Sequence, residues 1–362
     1  MRSLCSSWIL GRARFTVLAI GAVLFLTPVL KAQADNAASD DSIRPIPVFT
    51  MGSGFIATFQ GGTPNLGPLI NPLLLVPVGQ NWLIEGRGDL ESDLAPPPGS
   101  GGFTGTLQTN VDYLQLDYIA NRYLTVTVGR FLTPFGIYNE RLYPIWIRDL
   151  QSDPLILPLE GGEYGASNGA MVRGGFDLTP RVEMNYAAYF SASSTIPNLV
   201  SDRSFGFRSG IFWPGSRLEI GGSYQHLLED YRKNSFGFYL EWQPRPVPLD
   251  LRAEYARSYW GSGYWVEGAY RLNQVPAFRN GLRRVQVVAR MQQFYTGQGW
   301  SDNLPSVPTN MFEYGLNYYF RDDIRFVSSY GRQFAPYGGD MNVWTLGLTY
   351  RLALPVGHGD IR

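Results

Sequence analysis

Charged side chains are the residues of this chain best placed to do chemistry. In residues 82–92, Glu85, Arg87, Asp89 and Glu91 fall at every second position, and Ile84, Gly86, Gly88 and Leu90 between them carry no charge. Carboxylates and guanidiniums held in such a row can pair, attract ions or set up a field across an aqueous gap. Enzyme chemistry has less to work with. A Ser-His hydrolase needs an imidazole beside its nucleophile. The two histidines are His226, at a strand end on the apolar parity, and His358, in a glycine-rich tail. No pair of acids is singled out by spacing, and those of residues 148–160 are too scattered for a calcium loop. The reading is therefore no catalytic residues, no metal, no cofactor, no nucleic-acid motif, and no enzyme.

Strict alternation of charge marks a β-strand whose two faces meet different surroundings. The pattern recurs along the chain. Leu249, Leu251, Ala253 and Tyr255 alternate with Asp250, Arg252 and Glu254; Val285, Val287, Ala289 and Met291 alternate with Gln286, Arg290 and Gln292. These segments are about ten residues long, enough for a tilted strand to cross a bilayer. Short connections at 120–122, 178–180, 214–216 and 321–323 trade with longer ones at 192–204, 227–235 and 295–309. Short turns on one side and long loops on the other are the layout of an outer-membrane barrel. Aromatics near strand ends, such as Trp82, Trp213, Trp242, Phe320 and Tyr350, fit the interfacial girdles of such a barrel.

Composition agrees. Charged residues make up 17% of the chain, aromatics 14%, and 28 of the 30 basic residues are arginine. Arg2, Arg12 and Arg14 precede an apolar run that ends at Ala32-Gln33-Ala34, so residues 1–34 read as a cleaved secretory signal peptide. Its removal takes four basic residues and no acid, for a mature net charge of −4, and it takes the sole cysteine, Cys5. The exported chain must then hold together without disulfides. The fold class expected is all-β, a transmembrane antiparallel β-barrel of sixteen strands. It falls to fourteen if residues 48–60 and 67–78 lie outside the barrel, since Pro72 and Pro77 fit a strand poorly except beside a bulge. The layout is an N-terminal periplasmic segment at 35–46, a barrel at 47–352 and a C-terminal tail at 353–362.

Residues 132–167 break the rhythm. Pro134, Pro144, Pro154 and Pro158 oppose regular structure throughout, yet Phe135, Tyr138, Leu142, Ile145 and Trp146 can bury much apolar surface. A loop folded into the barrel would narrow it to a constriction. It carries Glu140, Arg141, Arg148, Asp149, Asp153 and Glu160. The wall offers Arg87, Arg173, Arg208, Arg252, Arg290 and Arg325 on the polar parity of their strands, as candidate pore-lining residues. The alternatives are an external cap or oligomer-contact role for the loop, and for each arginine a pair with an acid on a neighbouring strand.

At "VGRFLTPFGIYNERLYPIWI" the chain resembles the phosphate- and polyphosphate-selective porin family of Gram-negative outer membranes. The likeness rests on a strand ending Gly129-Arg130-Phe131 and a turn Pro134-Phe135-Gly136 opening the long third loop. The resemblance implies a sixteen-stranded diffusion channel, assembled as a homotrimer in outer-membrane lipid. Phosphate selectivity would rest on Lys and Arg in the throat, where this chain has no lysine and interleaves acids. The functional expectation is a passive outer-membrane channel for small hydrophilic, polar or anionic solutes. The alternative is a non-conducting barrel acting as an enzyme or adhesin.

Overall fold

A computed structural model describes residues 46–97, 102–159, 165–229, 233–275, 279–299, 301, 303–336 and 339–355. The leader at 1–34, Glu160 and most of the periplasmic segment and the tail lie outside the described residues. The strands are β1 (Val48–Gln60), β2 (Thr63–Val78), β3 (Trp82–Ala95), β4 (Thr104–Asn121), β5 (Leu124–Leu132), β6 (Ala166–Thr179), β7 (Val182–Ala192) and β8 (Ser204–Trp213). They continue with β9 (Leu218–Leu227), β10 (Asn234–Trp242), β11 (Leu249–Arg257), β12 (Gly261–Arg271), β13 (Val285–Thr296), β14 (Thr309–Tyr319), β15 (Ile324–Phe334) and β16 (Met341–Pro355). Each pairs antiparallel with its sequence neighbours, and β1 pairs with β16 to close the barrel. Closure leaves no strand edge unpaired.

The period-2 pattern sets the two faces. Outward positions carry exposed apolar side chains such as Leu107, Leu114, Phe207, Phe238, Tyr314 and Leu348, while inward ones carry buried polar groups such as Asp117, Glu254 and Arg325. This reverses the distribution of a water-soluble domain and suits a barrel surrounded by hydrocarbon. Trp82 stacks on Tyr118 at 4.7 Å near one rim, and Tyr330 meets Trp344 at 4.4 Å near the other.

Both ends of the barrel chain, Val48 and Pro355, pair at one rim, here called the terminus side. The β16 strand runs three residues into the segment assigned above to the tail. The sorting of connections is looser than the sequence suggests. The β1–β2 connection on the loop side is residues 61–62 alone, whereas residues 272–284 on the terminus side are long because they hold two short helical turns, Leu272–Gln274 and Arg279–Leu282.

Strand β2 forms despite its prolines, and the ladders say how. Pairing with β1 runs unbroken from Val48–Leu75 to Gln60–Thr63. With β3 the pairs at 67–68 and 71–72 are missing, so the donor-less sides of Pro68 and Pro72 face β3. One seam thus carries all the interruptions.

Candidate functional site

Residues 133–159 of the third loop turn into the barrel. At its base the Thr133 N–H donates to the Gly165 carbonyl at 3.1 Å. Asn139 clamps both ends, its amide donating to the carbonyls of Thr133 (3.0 Å) and Gly165 (2.7 Å). The turn motif then explains itself. Phe135 is buried against Gly237 of β10, where a Cβ would come within 2.8 Å of its ring. Gly136 has φ +62°, and a side chain there would overlap the Glu254 carboxylate. Glu254, inward on β11, accepts from the N–H groups of Ile137 (3.2 Å) and Tyr138 (3.4 Å), and Ser223 Oγ accepts from the Gly136 N–H at 3.0 Å. These bonds hold the start of a π-helical turn, Tyr138–Leu142, against the wall. Pro134 precedes this turn, and Gly129, at φ +123°, lies inward on β5 close to the β4 backbone.

From there the loop crosses most of the lumen on a series of glycine seats. Ile156 rests on Gly263 of β12, Leu150 on Gly315 of β14, and Ile145 at the tip on Gly52 and Gly54 of β1. Phe135, Ile137, Tyr138, Leu142, Ile156 and Leu159 pack on the inward Tyr239, Ala256, Trp265 and Phe294 as a small core within the barrel. Burying an aromatic or branched side chain of this kind stabilises by roughly 1.5–3 kcal/mol, so several of them fix the loop firmly.

Four of the predicted pore arginines are spent on this docking. Arg208 bonds Glu140 and the Gly136 carbonyl. Arg252 pairs with Asp149 (3.3 Å), Asp250 and Glu267 (3.6 Å). Arg290 holds the Ser152 carbonyl (2.7 Å) and Glu313 (2.8 Å). Arg325, 1% exposed, donates to the Ile145 carbonyl at 3.1 Å. They lie under the loop, so the expectation that they face permeating solute is corrected: a buried guanidinium needs partners, and loop carbonyls and acids supply them. In return Arg141 of the loop forks onto Glu219 (2.8 and 2.9 Å) and reaches Glu241 at 2.9 Å. Burial opposes the Arg141 charge, but the hydrogen bonds and charge of Glu219 outweigh it and hold the group protonated. Burial also lifts the Tyr138 and Tyr143 hydroxyls well above the usual phenol range, so both stay neutral.

One opening lies between the loop and the arc β1–β4. A polar cavity of about 190 Å³ there is lined by Asn65, Asn71, Arg87, Asp89, Glu91 and Asp93 on the wall, and by Tyr143, Arg148, Gln151 and Asp153 on the loop. Arg148 pairs with Asp153 at 2.8 Å, and Asp153 stays 49% exposed on its side chain. Arg87 pairs with Asp112 at 3.1 Å. Asp112 reaches inward because β4 has a bulge opposite Arg87 and Gly88. Tyr143 bridges the gap, its ring 5.3 Å from the Arg87 guanidinium and 4.8 Å from that of Arg148. Arg173 stands apart, facing Asp117 at 3.7 Å. Sequence reasoning missed Asn139, Glu254, Ser223 and Tyr143. The readable signal was the inward glycines Gly54, Gly237, Gly263 and Gly315, matched in number to large apolar loop residues.

No family model matches this chain, and no curated protein does. Solved structures do. The low-pH structure of OprB from Pseudomonas putida aligns with 85% of this chain and 92% of its own at 10% identity, TM-score 0.56. OmpF of Salmonella typhi, in complex with daunomycin, aligns with 84% and 97% at 13% identity, TM-score 0.58. An anion-selective porin from Comamonas acidovorans aligns with 84% and 98% at 9% identity, TM-score 0.54. The fold is that of a porin barrel. Identities this low carry the fold alone.

Proposed function

We propose that this protein is an outer-membrane porin, passing small hydrophilic solutes passively through the gap between its third loop and the β1–β4 wall. One observation carries the reading: a closed, apolar-skinned barrel keeps a polar cavity between its wall and a loop folded into its lumen. Residues 1–34 act as the export signal and are removed. The barrel sits in outer-membrane lipid and assembles as a homotrimer, as the resemblance at 128–147 implies.

The geometry favours cations in the gap. Asp89, Glu91, Asp93 and Asp153 outnumber Arg87 and Arg148, whereas Arg208, Arg252, Arg290 and Arg325 are engaged under the loop. Fixed negative charge along a narrow aqueous path raises the local cation concentration. The anionic reading, including the phosphate preference of the resembled family, keeps support from arginines at the terminus-side mouth.

The test is a planar bilayer holding the refolded 35–362 protein in a tenfold KCl gradient. Ohmic steps with a reversal potential of the cation sign are expected. An anion sign would overturn the charge reading, and silence from folded, inserted protein would favour an enzyme or adhesin on the same barrel.

A further inference from the structure

The third loop borders a second cavity, on the loop side of the barrel. Past the last β4–β5 rung, Leu114–Arg130, the chain of β5 turns inward. The space left there, about 360 Å³, lies between Asn110 and Asp112 of β4, Arg130 and Leu132 of β5, and Leu157 and Pro158 of the third loop. Asn198 and Val200 of the β7–β8 connection and Asn303 of the β13–β14 connection complete it. Its volume falls within the ~300–1,000 Å³ of small-ligand sites. Tyr143 lines both this cavity and the polar gap, so a solute leaving one meets the other.

Two opposite charges line the cavity without pairing with each other. Arg130 donates from Nε to the Val111 carbonyl at 2.7 Å, and from Nη1 to Asn168 Oδ1 (3.1 Å) and the Val200 carbonyl (3.0 Å). A guanidinium has five N–H groups, so both hydrogens of Nη2 remain without a partner among the described residues. Asp112 is buried, and its Oδ2 meets Arg87 Nε at 3.1 Å. Its Oδ1 has no partner among the described residues and can accept. Asn139 spends both amide hydrogens on the carbonyls of Thr133 and Gly165, which leaves its Oδ1 as a further acceptor. Between these groups lie the apolar side chains of Leu132, Leu157 and Val200.

We propose that this cavity binds a small zwitterion with an apolar side chain, an aliphatic α-amino acid, at the outer entrance to the gap. Arg130 Nη2 takes the carboxylate, Asp112 and Asn139 Oδ1 take the ammonium, and the apolar patch takes the side chain. Each charged group alone would find only one of its partners here, and a charge-assisted hydrogen bond left unmade in a half-buried site costs affinity. A zwitterion has no net charge, so the acids of the gap neither trap nor repel it. Asp112, Asn139 and Tyr143 place the cavity on the lumen side, which makes a dissolved solute, rather than a zwitterionic lipid headgroup, the occupant. The inference deepens the porin reading by naming a solute class, and rests on it for a water-filled lumen.

Saturation-transfer NMR on the refolded 35–362 barrel in maltoside detergent, with L-leucine as probe, tests this without needing current. Saturable binding is expected. 4-Methylpentanoate lacks the ammonium and 3-methylbutylamine lacks the carboxylate, and each should bind at least about tenfold more weakly. Arg130→Met should weaken leucine binding by a similar factor. Because Arg130 also ties β4 to the β7–β8 connection, a second variant, Asn110→Phe, places a ring in the cavity from an exposed position and should block binding. No leucine binding, equal binding of either single-charge analogue, or binding unchanged in folded N110F overturns the proposal. Displacement of leucine by phosphatidylethanolamine added to the micelles would reassign the site to a lipid headgroup and overturn the dissolved occupant. Leucine binding by a barrel that passes no current would sink the porin reading and leave this site standing; current without leucine binding would do the reverse.

Discussion

Arg252 on β11 and Asp89 on β3 both stand buried at inward positions of antiparallel strands, and they differ in what surrounds them. Around Arg252, in the arc from β8 to β15, the wall is covered: its charges pair across strands and with Asp149 and Glu140 of the third loop, and glycines take the loop's apolar side chains. Around Asp89, in the arc from β1 to β4, the wall borders the polar cavity: Asp89 itself is buried, but Glu91 is half-buried and Asp93 exposed. The nearest polar contact of Asp89 is Asn71 at 2.6 Å, and beyond it lie Glu91, Asp93 and the cavity. Identical strand chemistry therefore becomes scaffold on one side and candidate filter on the other. A charge contributes to selection where water reaches it, and to stability where partners enclose it.

Deleting residues 140–158 abolishes that difference and carries the largest expected effect. The covered arc becomes a second open wall, single-channel conductance rises by roughly twofold or more, and charge selectivity falls. Unchanged conductance would mean that the loop does not restrict the path. Next comes neutralising the open arc alone, with Asp89→Asn, Glu91→Gln and Asp93→Asn together. Cation preference should collapse in reversal-potential measurements while the thermal transition stays nearly fixed; a preserved preference would place the filter elsewhere. Tyr143→Ala removes the bridge between the arcs, and a conductance increase smaller than that of the loop deletion is expected, without loss of stability. The smallest effect on current is expected of Gly136→Ala. It strains a positive-φ position against the Glu254 carboxylate and costs about 1–3 kcal/mol, read as a lowered melting temperature and a noisier open state. An unaltered transition would show that the Glu254 clamp is not what holds the loop.

The barrel was largely legible before any coordinates. Fourteen strands, their inward and outward parities and the inserted segment at 132–167 follow from alternation and its one interruption; residues 48–60 and 67–78 bring the count to the expected sixteen. The prolines of β2 argue against a strand locally, and the barrel accepts them by turning the missing donors of Pro68 and Pro72 to the β3 seam and leaving Pro77 beyond the end of the β1 ladder. The site was legible only in part. All six arginines were placed on the correct face, but facing inward does not distinguish a wall that water reaches from one that a loop covers. Glu254 looked like one acid among many, and its role depends on Gly136 arriving beside it from 118 positions earlier in the chain.

What the sequence by itself determined is therefore the periodic part of the molecule: strand, face, and the residues that interrupt the pattern. Side-chain direction in a strand repeats every two residues and depends on local backbone geometry alone. Only the tertiary structure decided which arc is covered, which arginines are consumed, and that acids line the remaining gap. Those outcomes depend on complementarity between a loop and strands far from it in sequence, on glycine seats matched to apolar side chains and carboxylates matched to backbone N–H groups, and no local period records them.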